Sequence, residues 1–259
     1  MRGHSTVVGP GRFSGTRWPI RSRPRSHYDF DGLGVVSSVV CQSALRAKML
    51  DHRARAFVTE HPDAVVVDLG AGFDDGWVRV RPPDTVDWYS VDFPAVIAVR
   101  EAVLPAGPRQ HSVATSLAEP DWARFIPAGR PTFLIADGLF AFLSEPVIVG
   151  IFRSITEHFG TGELAFNDYG RIGWFSQVAA RLAPQKMFKA VTSQWAAYPG
   201  FVDAHHPETW NPRLSLVEEA SLTHEPEVDL FPAWVRIGTR AAGHVDAWAR
   251  KARILRYAF

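Results

Sequence analysis

Two glycines and an acid at the end of a short apolar run are the part of the sequence best suited to bind a nucleoside. The run Val65–Val67 leads through Asp68 to Gly70 and Gly72, and β-branched runs that stop at glycine are typical of buried parallel strands. Glycine lets the backbone turn sharply and approach a ligand closely. Asp92 follows Gly72 by twenty residues, and an acid at the end of a second strand can accept hydrogen bonds from both ribose hydroxyls. The pattern predicts a nucleoside-containing cofactor across the strand ends.

The same turn indicates which nucleoside cofactor binds. A dinucleotide fingerprint has a third glycine for close packing of the following helix, but that position is Asp75 here. Asp74 and Asp75 would place two carboxylates where a diphosphate would lie and would repel it. S-adenosylmethionine has no phosphate and carries a sulfonium cation and an ammonium group, which acids stabilise. Because no Gly-Lys-Ser or Gly-Lys-Thr follows the glycines, a P-loop is excluded, and the sequence favours the methyl donor over NAD.

Alternating strand and helix patterns surround this turn. Strands are predicted at 65–69, 86–91, 110–114, 132–136, 163–166, 214–217 and 252–259. Helices are predicted at 35–60, 94–104 and 145–155. The alternation predicts a Rossmann-like α/β fold, a parallel sheet with helices on both faces, whose ligands bind at the carboxyl ends of the strands. The residues predicted at those ends are Asp68, Gly70, Gly72, Asp92, Asp137 and Asp168.

The chain of 259 residues fits one domain with two unusual segments. Residues 1–26 hold six arginines, no acid and no apolar run that would make a secretory signal. We expect a disordered basic leader there, although a transit peptide or a nucleic-acid arm would have a similar composition, and a single domain over 27–259. Residues 171–212 interrupt the alternation and are rich in aromatic side chains. We interpret them as a helical cap that forms an apolar acceptor pocket, with a helical excursion of core aromatics as the alternative.

The composition excludes several partners and indicates others. A net charge of +1 argues against nucleic acid and a membrane surface as partners, and no apolar run reaches the roughly 18 residues of a membrane span. Cys41 is the single cysteine, so the chain forms no internal disulfide, which suits a cytoplasmic location. We expect Cys41 to be a small buried residue rather than a nucleophile. The oligomeric state is not indicated by the sequence.

Three longer motifs resemble one known family. They are Val66-Val-Asp-Leu-Gly-Ala-Gly-Phe-Asp-Asp, Trp88-Tyr-Ser-Val-Asp-Phe-Pro-Ala-Val-Ile and Pro131-Thr-Phe-Leu-Ile-Ala-Asp-Gly-Leu-Phe-Ala-Phe-Leu. Together with 210–219 and 253–259, they resemble the leucine carboxyl methyltransferase-like family, and more narrowly its bacterial tetracenomycin-type polyketide O-methyltransferases. The resemblance covers about residues 27–259. It implies a class I methyltransferase fold, S-adenosylmethionine as cofactor, and O-methylation of a small-molecule hydroxyl or carboxylate in polyketide or other secondary metabolism.

The resemblance also implies residue roles at the cofactor. Arg46 matches the arginine that holds the methionine carboxylate, the turn at Gly70 and Gly72 passes under the methionine part, and Asp92 takes the ribose hydroxyls. Ser116 and Leu117 stand beside the adenine, where an Asp-Leu pair is usual, and Asp137 stands for a glutamate near the methionine end. The chain departs from the family at Asp75 and Gly76, where threonine and arginine are typical, and at its front, where the family has a helix that helps close the acceptor pocket.

The acceptor decides whether a base is needed. A carboxylate is already ionised, whereas a phenol, with a pKa of about 10, needs a base or a stabilised phenolate. His205 and His206 are the candidate bases, with surface histidines as the alternative, and Asp168 could orient the acceptor or serve as a structural acid. The other histidines show no metal-ligand spacing, so we predict no metal site. Two further functions stay open: a protein carboxyl methyltransferase, and a non-catalytic binding module.

Overall fold

The computed structural model describes residues 37–104, 106–169, 200–201, 203–245, 249–250 and 252–259. The predicted leader at 1–26 and most of the predicted cap at 171–212 lie outside these residues. No helix within the described ranges is long and apolar enough to cross a membrane.

A seven-stranded sheet forms the centre of the described part of the chain. Its strands are β1 (Val65–Leu69), β2 (Asp87–Asp92), β3 (Gln110–Ala114), β4 (Thr132–Ala136), β5 (Gly162–Asp168), β6 (Ser215–Ser221) and β7 (Arg253–Ala258). The order across the sheet is β3-β2-β1-β4-β5-β7-β6. Strands β1 to β5 pair in parallel, and β7 pairs antiparallel with both β5 and β6. The strand order reverses between β1 and β4, which is where ligands of such sheets bind.

Helices cover both faces of the sheet. They are α1 (Ser37–Glu60), α2 (Gly76–Val80), α3 (Pro94–Val103), α4 (Glu145–His158), α5 (His206–Trp210) and α6 (Ala233–Gly243). Leu45, Met49 and Leu50 of α1 pack on one face, and Ile148 and Ile151 of α4 pack on the other. The predicted α/β fold is confirmed. Strand β5 and strand β6 extend further than predicted, α5 lies within the segment predicted as a helical cap, and α2 and α6 were not predicted.

Strand β1 shows why the sheet is a firm platform for its carboxyl end. All five of its residues are buried, because Val65, Val67 and Leu69 enter the core under α4 while Val66 enters the core under α1. Each aliphatic side chain buried in this way stabilises the fold by about 1.5–3 kcal/mol. Cys41 is also buried, as expected, and burial raises the pKa of its thiol.

Candidate functional site

The glycine turn after β1 holds the acid at the end of β2. Gly70 and Gly72 have φ of +65° and +48°, a backbone region that favours glycine. The Gly72 amide donates to Asp92 Oδ2 at 2.8 Å, and the Gly70 amide donates to the Val91 carbonyl at 2.8 Å. A Cβ on Gly70 would lie 2.8 Å from Leu139 Cδ1, the end of a flexible side chain that would have to shift. The turn and Asp92 therefore form one unit at the switch in strand order.

Ser116 and Leu117 lie beside that unit. The Thr115 amide donates to the Asp92 carbonyl at 3.0 Å, directly after β3 ends. Ser116 Oγ accepts a hydrogen bond from the Ala118 amide at 3.2 Å, and Leu117 is packed against the core under α4. The structure thus brings the predicted adenine-side segment next to the predicted ribose acid.

Arg46 and Asp137 meet at the other side of the turn. Arg46, on α1, donates through Nε to Asp137 Oδ1 and through Nη1 to the Tyr169 hydroxyl at 2.6 Å. Its guanidinium also lies 5.9 Å from the centroid of the Tyr169 ring. Burial raises the pKa of the Asp137 carboxyl, and Arg46 opposes that rise. Tyr169 was not predicted as a site residue, although its position directly after a strand-end acid was a signal for it.

Asp74 and Asp75 are held by one arginine. Arg79 Nη1 donates to Asp74 Oδ1 at 2.7 Å and to Asp75 Oδ1 at 2.5 Å, and Arg79 Nε donates to Asp51 Oδ2 at 2.6 Å. The two carboxylates at the start of α2 are therefore ion-paired rather than free. Their expected repulsion of a diphosphate is weaker than the sequence suggested. Arg79 was missed because a helix of five residues shows too little periodicity to predict.

Asp68 is the most buried acid at this edge. It is 4% exposed, and its Oδ2 has no hydrogen-bond partner among the described residues. Burial, followed by repulsion from Asp74, raises the pKa of Asp68 well above its usual range, against the opposing effect of Arg100. A cation bound beside an acid in this position favours the ionised form of that acid. Asp68 is thus suited to a ligand that carries an ammonium or sulfonium group.

Asp168 lies inside a buried ion pair at the end of β5. Its Oδ2 accepts a hydrogen bond from Arg253 Nε at 2.9 Å, and its Oδ1 accepts one from the Phe201 amide at 3.2 Å. Arg253 also donates to the Phe201 carbonyl at 2.6 Å and to Glu219 at 2.6 Å. Both Asp168 oxygens therefore hold protein groups, joining β5 and β7 to the segment that enters at Phe201. This geometry gives no support to a role in orienting the acceptor.

Among the described residues, no hydrogen bond or ring contact joins His205 or His206 to the predicted cofactor residues, although the His206 ring lies 6.2 Å from the Phe201 ring. His205 Nδ1 contacts Glu208 at 2.8 Å, and Glu208 in turn accepts a hydrogen bond from the Leu216 amide at 2.6 Å. Leu216 pairs through β7 with Leu164, four residues before Asp168, or about 13 Å along a strand. The hydrogen bond to Glu208 raises the pKa of the exposed His205, and the His206 ring packs 4.7 Å from the Trp210 ring. Their role as acceptor bases finds no support in this placement.

No group of histidine, cysteine and acidic side chains within the described ranges could hold a metal ion. The site is instead a glycine turn with acids and arginines, set on a parallel sheet that ends in an antiparallel β7. This combination defines a class I methyltransferase-like α/β domain. The plantazolicin methyltransferase BamL, solved in complex with a triazolic desmethylPZN analog and SAH, has this fold. It matches with a TM-score of 0.53 at 11% identity, over 93% of this chain and 91% of that chain.

The family follows from the sequence matches. The model of the leucine carboxyl methyltransferase family matches residues 24–156, just over half of the chain, so the chain belongs to this family and is a methyltransferase. It is 29% identical to the tetracenomycin polyketide synthesis O-methyltransferase TcmP of Streptomyces glaucescens, over 91% of this chain and 84% of that protein. It is 26% identical to the S-adenosyl-L-methionine-dependent methyltransferase dpfgK of Gibberella zeae, over 70% of this chain and 63% of that protein.

Proposed function

We propose that the protein transfers the methyl group of S-adenosylmethionine to an oxygen atom of a small-molecule acceptor, a hydroxyl or carboxylate of polyketide type. The observation that carries this proposal is the glycine turn that holds Asp92, with its Gly72 amide 2.8 Å from Asp92 Oδ2. Each oxygen of a carboxylate has two lone pairs, so Asp92 can keep this bond and still accept both ribose hydroxyls. The relatives named above support methyl transfer and, through TcmP, an oxygen acceptor.

The described residues fit S-adenosylmethionine from end to end. Asp92 suits the ribose, Ser116 and Leu117 lie on its adenine side, and Arg46 provides a guanidinium for the methionine carboxylate. The buried Asp68, with its unpartnered Oδ2, provides a counter-charge for the cationic part of the molecule. When bound, S-adenosylmethionine supplies an electrophilic methyl group on a positively charged sulfur.

The chain's main contribution to the reaction is to hold donor and acceptor in line and to exclude water. His205, His206 and Asp168 contact other protein groups, as described above. Residues 170–199 contain no aspartate, glutamate or histidine, whereas His27, Asp29 and Asp31 stand in the front part of the chain that the structure does not describe. An acceptor oxygen that is ionised near neutral pH, a carboxylate or an acidic phenol, would need no base from either segment.

Replacing His205 and His206 together by alanine is expected to leave the rate of methyl transfer within about threefold of the unaltered protein. The reason is that His205 contacts Glu208 and His206 packs against Trp210, with no described contact to the predicted cofactor residues. A general base that is removed costs about 100-fold or more, so steady-state kinetics separate the two cases. A loss of that size in the rate of methyl transfer, with the melting temperature unchanged, would show that one of these histidines is the general base.

The proposed function is tested by binding and transfer together. A saturating donor at about 100 times its dissociation constant stabilises a protein by about 2.7 kcal/mol, so S-adenosylmethionine is expected to raise the melting temperature by about 5 °C or more. Transfer is then measured by mass spectrometry with phenolic and carboxylic aromatic polyketides and with a peptide that ends in leucine. Methylation of a polyketide oxygen is the expected result. Methylation of the peptide alone would indicate a protein carboxyl methyltransferase, and binding without any transfer would favour the non-catalytic module.

A further inference from the structure

Without a bound donor, the ionised form of Asp68 is disfavoured by its buried position. It ends the apolar run of β1, between Ser90 of β2 and Ile135 of β4 in the sheet register. It is 4% exposed, and Oδ2 has no partner among the described residues. Burial of a carboxylate oxygen without a partner strongly disfavours the ionised form, and a group in this position usually becomes neutral instead.

The charged groups around Asp68 leave it without a cation of its own. Asp74 and Arg79 face it from the turn and α2, Arg100 faces it from α3, and Asp137 faces it from the end of β4. Each arginine is held elsewhere: Arg79 by its three acids, and Arg100 by the Gly72 carbonyl at 2.9 Å.

Helix α1 adds no free cation. It contributes Asp51, which is paired with Arg79, and Arg46, which is paired with Asp137. Among the described residues, Asp68 therefore faces two other acids and two arginines that donate to other groups, and its Oδ2 has no hydrogen-bond partner. A cation brought by a ligand that pairs with it would favour its ionised form.

We propose that Asp68 holds a proton in the donor-free protein and releases it to solvent when the α-ammonium group of the donor's methionine end binds. This inference rests on the proposed function, because it takes S-adenosylmethionine as the ligand. The O–H bond of the carboxyl group breaks, the proton passes to the buffer, and the carboxylate then pairs with the ammonium group. The methionine end is chosen because Arg46, whose guanidinium suits its carboxylate, is bonded to Asp137, whose charge acts on Asp68.

The proposal predicts the direction in which affinity for the donor changes with pH. Burial and Asp74 raise the pKa of Asp68 in the donor-free protein, and a bound cation lowers it. Between these two pKa values, binding releases a proton, so affinity for the donor rises with pH by up to about tenfold per pH unit. Above the pKa of the donor-free protein the affinity becomes independent of pH.

The experiment is calorimetric titration of the full-length protein with S-adenosylhomocysteine, which keeps the ammonium group and cannot react. At a series of pH values from acidic to neutral, the observed heat is compared between two buffers whose ionisation enthalpies differ. The expected result is proton release that is largest, approaching one proton, between the two pKa values, and no release with 5′-methylthioadenosine, which lacks the amino-acid end. In Asp68→Asn, which resembles the protonated acid, S-adenosylhomocysteine is expected to bind without release and without the rise in affinity with pH.

A matched variant, Asp137→Asn, tests the assignment to Asp68. Release is expected to persist in it, and release that vanishes in Asp137→Asn but persists in Asp68→Asn would overturn the proposal. Binding to the unaltered protein with heat independent of the buffer at every pH would overturn it too, while leaving the proposed function intact. Absence of any binding by S-adenosylhomocysteine would instead overturn the proposed function and this inference with it.

Discussion

Replacing Arg79 by methionine is expected to lower the free energy of unfolding by about 3–5 kcal/mol, as breaking a buried ion pair by removing one partner typically does. The Arg79 side chain is only 10% exposed, and it pairs with Asp51 at 10% and Asp75 at 11% exposure. Methionine fills a similar volume but leaves these carboxylates without a cation. Denaturant unfolding monitored by circular dichroism measures the loss.

Lysine at the same position is the matched control. It keeps the charge, but it is a point charge on a flexible stem and lacks the planar fork with which Arg79 reaches Asp51, Asp74 and Asp75 at once. The free energy of unfolding of Arg79→Lys is therefore expected to lie between those of the unaltered protein and Arg79→Met. A change below about 1 kcal/mol in Arg79→Met would show that water, rather than Arg79, compensates the three acids.

Replacing Asp92 by alanine is expected to weaken binding of S-adenosylhomocysteine by about 100-fold or more. Two hydrogen bonds from ribose to an ionised carboxylate contribute about 1.5–3 kcal/mol each, and every 1.4 kcal/mol is a factor of ten. The variant also loses the bond from the Gly72 amide that fixes the turn. Isothermal calorimetry measures the affinity. The affinity of Asp92→Asn, which keeps one acceptor oxygen, is expected to lie between those of the unaltered protein and Asp92→Ala.

Asp87→Asn is the control for Asp92, since Asp87 lies at the opposite end of the same strand. Although burial acts to raise the pKa of Asp87, hydrogen bonds from Arg130, His111 and Arg109 lower it to about 2. The contribution of this carboxylate to stability is thus present above its unfolded pKa, near 4, and is lost as the pH falls towards 2. We expect Asp87→Asn to reduce stability at neutral pH with donor affinity unchanged. Equal losses of affinity in both variants would mean that Asp92 acts through stability alone.

The sequence predicts the central sheet well because its strands are short, buried and bounded by turn residues. Val65–Leu69 lies where the β-branched run and Gly70 predict it. Since the carboxyl ends of parallel strands meet at one edge, the positions of Asp92 and Ser116 next to each other also follow from the pattern. This is why the meeting of these residues at one edge of the sheet was predictable from the sequence, whereas their role in binding the cofactor stays a prediction.

The remaining contacts depend on distant parts of the chain. Arg46 and Tyr169 are 123 residues apart, and no local pattern indicates that they meet. Asp168 is a strand-end acid by its sequence, but its partner Arg253 comes from β7, which runs antiparallel beside β5. His205 follows a segment that enters at the strand ends and then continues along the sheet, as the bond from the Tyr257 hydroxyl to the Ala204 carbonyl at 2.6 Å shows. Contacts between such distant segments are determined by tertiary packing, not by residue type or spacing.

A crystal structure with S-adenosylhomocysteine tests most directly whether the glycine turn after β1 forms the binding site of the methyl donor. We predict ribose hydroxyls within hydrogen-bonding distance of the Asp92 carboxylate, adenine beside Ser116 and Leu117, and the methionine end between Arg46 and Asp68. Ligand density elsewhere on the domain, or an adenosine that leaves Asp92 uncontacted, would contradict the account.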